Sequence, residues 1–241
     1  MEHWDTLCPG GLRFCWDESA HKPGTDTFLL GGFPRLRSEL RVCDLGSGTG
    51  LLGLLLLQRR RDLHVTGMEL QGAAAALAVR AAEENGLSDC LVTLRADLRD
   101  VRSLLGAGSF DLCVSNPPYF SGGSGKAAPD AARRIARSET ECTLLDVCRA
   151  AAYLLRWGGN LCMVYRPERL CDLMCALREN GLEPKRLRMV ESRPGAAPSL
   201  LLLEARRGGK PGLSTEPPLL LTDETGAPTA EYDAAYFRMF K

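Results

Sequence analysis

Several absences set the first limits on this chain. None of its ten cysteines falls in a Cys-x-x-Cys pair, so the usual spacing of a zinc site or redox dithiol is missing. Cys43, Cys113 and Cys162 lie inside apolar runs, where cysteine behaves as a small hydrophobe. Cys171 and Cys175 share a helix face but have no further ligand near them in sequence. All ten are expected to be reduced and structural, with no metal bound, and reduced cysteines point to the cytoplasm. No run of about 18 apolar residues is present, so no membrane span is expected. The N-terminus lacks a basic region followed by an apolar core, so no secretory signal is expected either. Net charge is also missing: Lys+Arg and Asp+Glu are both 30. A nucleic-acid partner would therefore need a local basic patch rather than a global field. There is no internal repeat and no signal for oligomeric state.

What is present suits one well-buried α/β domain: 241 residues, 45% of them hydrophobic. The most unusual stretch is Ser115-Asn116-Pro117-Pro118-Tyr119-Phe120. It follows an apolar run, Phe110 to Val114, that reads as a buried strand. Two prolines stop the strand and fix a rigid turn. The turn aims the Asn116 side-chain oxygen, the Pro117 carbonyl and the Tyr119 ring at one point. Two acceptors and a flat face suit a planar group that carries an NH2. Taken alone, the same residues also read as an ordinary turn with an exposed tyrosine.

Upstream, residues 41–53 read Arg-Val-Cys-Asp-Leu-Gly-Ser-Gly-Thr-Gly-Leu-Leu-Gly. A strand ends at Asp44, a glycine-rich turn follows, and an apolar helix runs through Leu57. Glycines let the backbone approach a ligand without a Cβ in the way. Gly48, Gly50 and Gly53 satisfy the dinucleotide spacing. The acid before the loop, however, would repel a pyrophosphate. Asp44, Gly46, Ser47, Gly48 and Gly50 therefore favour S-adenosylmethionine, which carries a sulfonium, an ammonium and ribose hydroxyls. Glu69 ends the next strand, about Leu63 to Met68, and is placed to accept both ribose hydroxyls. Residues 71–85 read as an alanine-rich helix stopped by Asn85-Gly86. After a third strand, Leu91 to Leu94, Asp97 with Leu98 either meets the cofactor adenine or caps a helix. Residues 25–30 read as a short helix with Thr25 or Asp26 as its cap, lying across the cofactor mouth or over the sheet edge. In the first case Asp26 joins the cofactor candidates.

With these motifs in order, the chain resembles a class I S-adenosylmethionine-dependent methyltransferase of the amino-methylating kind. The resemblance implies an α/β, Rossmann-like, seven-stranded sheet, mostly parallel, with a C-terminal antiparallel hairpin and helices on both faces. Asn160 to Tyr165, Arg186 to Val190 and Ser199 to Glu204 supply the last strands. Asn-Pro-Pro-Tyr occurs in enzymes that methylate adenine N6, ribosomal RNA guanine N2, or a glutamine amide of release factors. Further strings narrow the choice: Gly24-Thr25-Asp26, Gly123-Ser124-Gly125-Lys126, Ile135 to Glu139, Tyr165 to Leu170, Arg193-Pro194-Gly195 and Gly208 to Gly212. They resemble the bacterial tRNA(Val) adenine-N6 methyltransferases, although Ser138 stands where that family usually has His. The activity implied is methyl transfer to an adenine N6 in tRNA, next to the anticodon. An inactive cofactor-binding module is the non-enzyme alternative.

The implied roles are these. Asn116 and Pro117 hold the amine, Pro118 stiffens the turn, Tyr119 stacks on the base, and Asn116 also borders the cofactor. Phe120, Lys126, Arg133, Arg134 and Arg137 ring the mouth on the RNA side, with Arg166, Arg169 and Arg193 as a second group. Lys185, Arg186 and Arg188 are expected beside that group. Ser138 with Glu141 resembles a capping box opening a helix to about Leu155. Residues 1–206 are expected to form the methyltransferase domain, with 1–40 as an N-terminal cap segment. Residues 207–241 form a tail that returns to it, with a possible strand at Leu219 to Thr222.

Overall fold

The computed structural model describes residues 2–17, 23–117 and 142–238. An antiparallel hairpin, β1 (Glu2–Thr6) and β2 (Arg13–Asp17), precedes the main sheet. Then follow α1 (Thr25–Gly32), β3 (Arg41–Leu45), α2 (Leu51–Arg59), β4 (His64–Glu69), α3 (Gly72–Glu84) and β5 (Leu91–Arg95). A 3-10 turn (Leu98–Asp100) and the short α4 (Val101–Leu104) lead to β6 (Phe110–Ser115). Beyond residue 141 come α5 (Leu144–Leu154), β7 (Leu155–Tyr165), α6 (Leu170–Glu179), β8 (Leu182–Glu191), β9 (Leu200–Arg207), β10 (Ser214–Leu220) and α7 (Ala230–Ala235).

The main sheet has eight strands in the order β10-β8-β9-β7-β6-β3-β4-β5. From β5 to β7 every pairing is parallel. β9 runs antiparallel to both β7 and β8. Strands β3 to β9 are thus the expected seven-stranded sheet with its hairpin. The eighth strand corrects the expected count. β10 adds in parallel to the free edge of β8, with its register shifted between Glu216 and Leu219. Pro217 and Pro218 fall within that irregularity, where a missing N–H costs no ladder bond.

Strand residues alternate between two apolar faces, so both sides of the sheet are buried. Val42, Leu112, Val114 and Cys162 face α1, α2 and α3. Their neighbours Cys43, Cys113, Leu161 and Met163 face α5 and α6. Leu51 to Leu57 of helix α2 are apolar and buried all round, as the Leu-Leu-Gly-Leu-Leu-Leu-Leu run requires. Gly53 fits closely there: a Cβ would lie 2.9 Å from the Leu91 side chain, which would have to shift.

Two sequence readings are corrected here. Helix α5 opens at a capping box made by Thr143 and Asp146, and residues 142–143 are not helical. The Ser138–Glu141 pair satisfies the same pattern but lies outside the described residues. Arg186, expected in an exposed basic group, is buried. Its Nη2 donates to Glu204 Oε2 and to the Phe33 carbonyl, each at 2.8 Å. The guanidinium also sits 3.7 Å from the centre of the Phe33 ring. Lys185 donates to the carbonyls of Lys210 and Gly212, while Arg188 pairs with Glu231. None of these three presents a solvated patch. Among the described residues, no helix is long and apolar enough to cross a membrane.

Candidate active site

The carboxyl ends of β3, β4, β5 and β6 lie on one edge of the sheet, because those strands are parallel. This is the edge where open α/β sheets bind ligands. β3 delivers Asp44 there, fully buried at 1% exposure. Neither of its carboxylate oxygens has a hydrogen-bond partner among the described residues, and the same holds for Ser47 Oγ. Burial, and secondarily the charge of Glu69, push the Asp44 carboxyl up to about 8.

Beyond Asp44 the chain turns back over β4. The N–H groups of Gly46 and Ser47 both donate to the Met68 carbonyl at 3.0 Å. Gly46, Gly48 and Gly50 all have positive φ, of 77°, 54° and 79°. A Cβ built on Gly46 or Gly48 would meet nothing within 4 Å. The loop therefore leaves open space on that side, and only glycine takes the Gly48 conformation without strain. Glu69, at the end of β4, holds the loop from below. Its two carboxylate oxygens accept from Gly48 N–H at 2.8 Å and Gln71 N–H at 2.7 Å.

Asp97 caps the 3-10 turn that follows β5. It accepts from Arg99 N–H at 2.8 Å and from the Arg99 guanidinium, which holds its carboxyl below the usual range. Leu98 beside it is buried. The Ala96 N–H donates to the Glu69 carbonyl at 2.9 Å, so the two strand ends share one frame.

β6 ends next to β3: Val114 stands opposite Asp44, and Ser115 Oγ donates to the Leu45 carbonyl at 2.7 Å. Asn116 follows directly. Its side-chain Nδ2 donates to Thr27 Oγ1 at 2.9 Å. Thr27 belongs to the first turn of α1, whose cap residue is Gly24 rather than Thr25 or Asp26. Asp26 accepts from the Thr27 N–H at 2.8 Å. Pro117 is buried. Sequence reasoning missed Thr27 and Ser115. For Ser115 a signal existed: a hydroxyl at the end of a buried strand must find an acceptor.

Pro118, Tyr119, Phe120, Lys126, Arg133, Arg134 and Arg137 lie outside the described residues. Arg166 and Arg169 follow the end of β7, and Arg193 follows the end of β8, on the same sheet edge as Asn116. Arg169 pairs with Asp172, whereas Arg193 is exposed. A separate cavity of about 840 Å³ lies behind α1, lined by Leu29, Phe33, Arg59 and Phe237, with none of the glycine-loop residues in its wall.

The donor set fits a cationic, hydroxyl-bearing ligand. A buried carboxyl with no partner among the described residues calls for a positive or hydrogen-bonding group. An open glycine edge admits that group, and Glu69 retains lone pairs for hydroxyls. Among the described residues, no group of three or more His, Cys, Asp or Glu could hold a metal ion.

Comparison with known proteins gives the same direction. Residues 14–174 match the family model of the methyltransferase small domain. The chain is 36% identical over 229 residues to a tRNA1(Val) (adenine(37)-N6)-methyltransferase of Tolumonas auensis, covering 92% of this chain and 93% of that protein. It is also 36% identical over 202 residues to a protein of the same description from Porphyromonas gingivalis, covering 80% and 78%. Among solved structures, a predicted O-methyltransferase from Agrobacterium tumefaciens superposes with a TM-score of 0.72 at 22% identity, over 88% of this chain and 95% of that one. That last likeness is one of fold.

Proposed function

Since the chain belongs to the methyltransferase small domain family, we infer that it transfers the methyl group of S-adenosylmethionine to the exocyclic N6 of an adenine in tRNA, the one beside the anticodon of tRNA(Val). It is an S-adenosylmethionine-dependent tRNA (adenine-N6)-methyltransferase. The geometric observation that carries the reading is one juxtaposition. Asn116 closes the strand next to the one that ends in Asp44, whose carboxyl has no partner among the described residues.

In this reading Asp44 and the Gly46–Gly50 turn hold the cofactor, with Glu69 on the ribose and Leu98 and Asn116 at its border. Bound there, S-adenosylmethionine supplies a methyl group activated by a sulfonium. The residues of the chain do the rest by orientation. An adenine amino group is a weak nucleophile, because its lone pair is delocalised into the ring. Asn116 Oδ1 and the Pro117 carbonyl each accept one of its N–H bonds, which holds the nitrogen and favours the pyramidal geometry of attack. Tyr119 stacks on the ring, a contact worth about 1–3 kcal/mol per base. No strong base is required, since the nitrogen becomes acidic once methylated. A base in the anticodon loop is already nearly unpaired, so extruding it costs little.

Phe120, Lys126, Arg133, Arg134 and Arg137, with Arg166, Arg169 and Arg193, contact the RNA. Residues 1–206 form the catalytic domain and 207–241 a tail on it. A tRNA substrate supports the cytoplasm as the place of work. Guanine N2 and glutamine amides are disfavoured by the relatives rather than by the turn itself. The test is direct. Purified protein is incubated with an unmodified tRNA(Val) transcript and methyl-labelled cofactor, and the product is digested and mapped. Label is expected in N6-methyladenosine beside the anticodon. Label in guanine, or only in a release-factor glutamine, would overturn the reading.

A further inference from the structure

A carboxamide can hold an amine only if its oxygen, not its NH2, faces it. The two ends of the Asn116 side chain are nearly the same size, so sterics alone do not decide which way it lies. In the structure Nδ2 is the end that meets Thr27 Oγ1, at 2.9 Å; a hydroxyl can accept or donate, so this bond anchors the side chain, and the amide lies with its NH2 toward Thr27. With Nδ2 drawn to Thr27, Oδ1 sits on the opposite side of Cγ. The reversed amide would set NH2 donors against an amine that is itself a donor.

Thr27 can do this only if α1 is held in place, and α1 has a cavity along part of its wall, at Leu29, Gly32 and Phe33. Packing is therefore incomplete on that side, and discrete pins replace it. At the far end, Arg59 donates to the Gly31 carbonyl at 2.6 Å and Arg186 to the Phe33 carbonyl at 2.8 Å. At the end nearest Asn116 the pin comes from the C-terminal tail. Tyr236 donates from its hydroxyl to Thr25 Oγ1 at 3.0 Å, and its ring stacks on Phe28 at 4.2 Å with the planes 8° apart.

We propose that Thr27 is a positioning residue for methyl transfer, anchoring the Asn116 side chain through its NH2, and that Tyr236 of the tail holds Thr27 in register. The proposal rests on Asn116 accepting an N–H of the target amine. It assigns to the tail a role in the rate of the reaction, not only in stability.

Single-turnover methyl transfer to tRNA(Val) tests it. Thr27→Val keeps the shape and removes the oxygen. Its rate should fall about tenfold, the loss expected of one well-placed hydrogen bond. The Michaelis constant for tRNA, the cofactor affinity and the melting temperature should stay near wild type. Thr27→Ser should restore most of the rate. In an Asn116→Ala background, Thr27→Val should add almost nothing, since the group it positions is gone. Tyr236→Phe, which keeps the stacked ring, should lower the rate about two- to fivefold and provides the test if Thr27→Val folds poorly. A slow Asn116→Ala beside a Thr27→Val at wild-type rate would overturn this inference and leave the role of Asn116 intact. A wild-type rate in Asn116→Ala would overturn both.

Discussion

Asp44 and Glu69 stand at the ends of adjacent parallel strands, and they are satisfied unequally. Glu69 accepts two backbone N–H groups, while buried Asp44 has no partner among the described residues. The fold thus leaves one acid committed to shaping the loop and the other to whatever enters beside it.

That inequality predicts a pH dependence of stability in the cofactor-free protein. Asp44 is raised from 3.8 to about 8. Between those values the folded state keeps a proton that the unfolded state has lost, so its stability falls as pH rises. The decline from this group should run from about pH 4 to about pH 8 and then level off. Asp44→Asn should flatten that part of the curve. Urea midpoints at pH 5, 6.5 and 8 measure it; parallel curves for the two proteins would mean that Asp44 titrates normally.

The glycine loop makes a second prediction. At Gly48 the backbone has φ of 54° and open space where a side chain would go. Gly48→Val should strain the loop and fill the space the ligand needs, abolishing cofactor binding in a calorimetric titration. Unchanged affinity would displace the site from this loop.

How much of this was legible beforehand differs by residue. Asp44, Glu69, Asn116 and the loop could be read because strand ends and glycine spacing are local signals. The β1–β2 hairpin could not. Five residues pair with five across a turn marked by Pro9-Gly10-Gly11, but neither flanking segment alternates cleanly, and the hairpin is stabilised by distant partners such as the Asn85 side chain. β10 was placed late because Pro217 and Pro218 argue against a strand, yet an edge strand tolerates them at a bulge. The start of α5 was missed because Thr143-x-x-Asp146 carries the same pattern as Ser138-x-x-Glu141, which lies outside the described residues; residues 142–143 are not helical, so no single helix runs from there to Leu155. Thr27 is invisible in sequence, since its partner lies 89 residues away.

The buried pair of Arg186 and Glu204, opposite each other on β8 and β9, predicts a stability effect. Arg186→Met should cost about 3–5 kcal/mol, because it leaves a buried carboxylate unpaired. Adding Glu204→Leu should recover most of that loss. Urea unfolding distinguishes the cases; a single variant no less stable than the double would show that Glu204 is not dependent on Arg186.

For RNA, replacing Arg133, Arg134 and Arg137 together with Ala should raise the Michaelis constant for tRNA and leave cofactor affinity alone. Each lost phosphate contact should also reduce the slope of log affinity against log salt by about 0.7–0.9. The three together should therefore remove about two units of slope. An unaltered slope would leave these arginines as ordinary surface charges.

The central turn gives the most discriminating series. Asn116→Ala removes an acceptor whose contribution grows as the amine attacks. By analogy with loss of one positioned donor elsewhere, the rate should fall about 10²–10³-fold while cofactor still binds. Asn116→Asp keeps an acceptor oxygen and places a charge beside a cofactor whose own positive charge disappears on transfer. It should be less harmful than Ala, though not silent, and it forfeits the Nδ2 bond to Thr27. Tyr119→Phe keeps the ring and should keep most activity, whereas Tyr119→Ala should lose it through poor placement of the base. The ordering carries more weight than any single value. Full single-turnover rates in both alanine variants would make the turn structural, and the roles assigned to Asn116 and Tyr119 in the transfer would fall together.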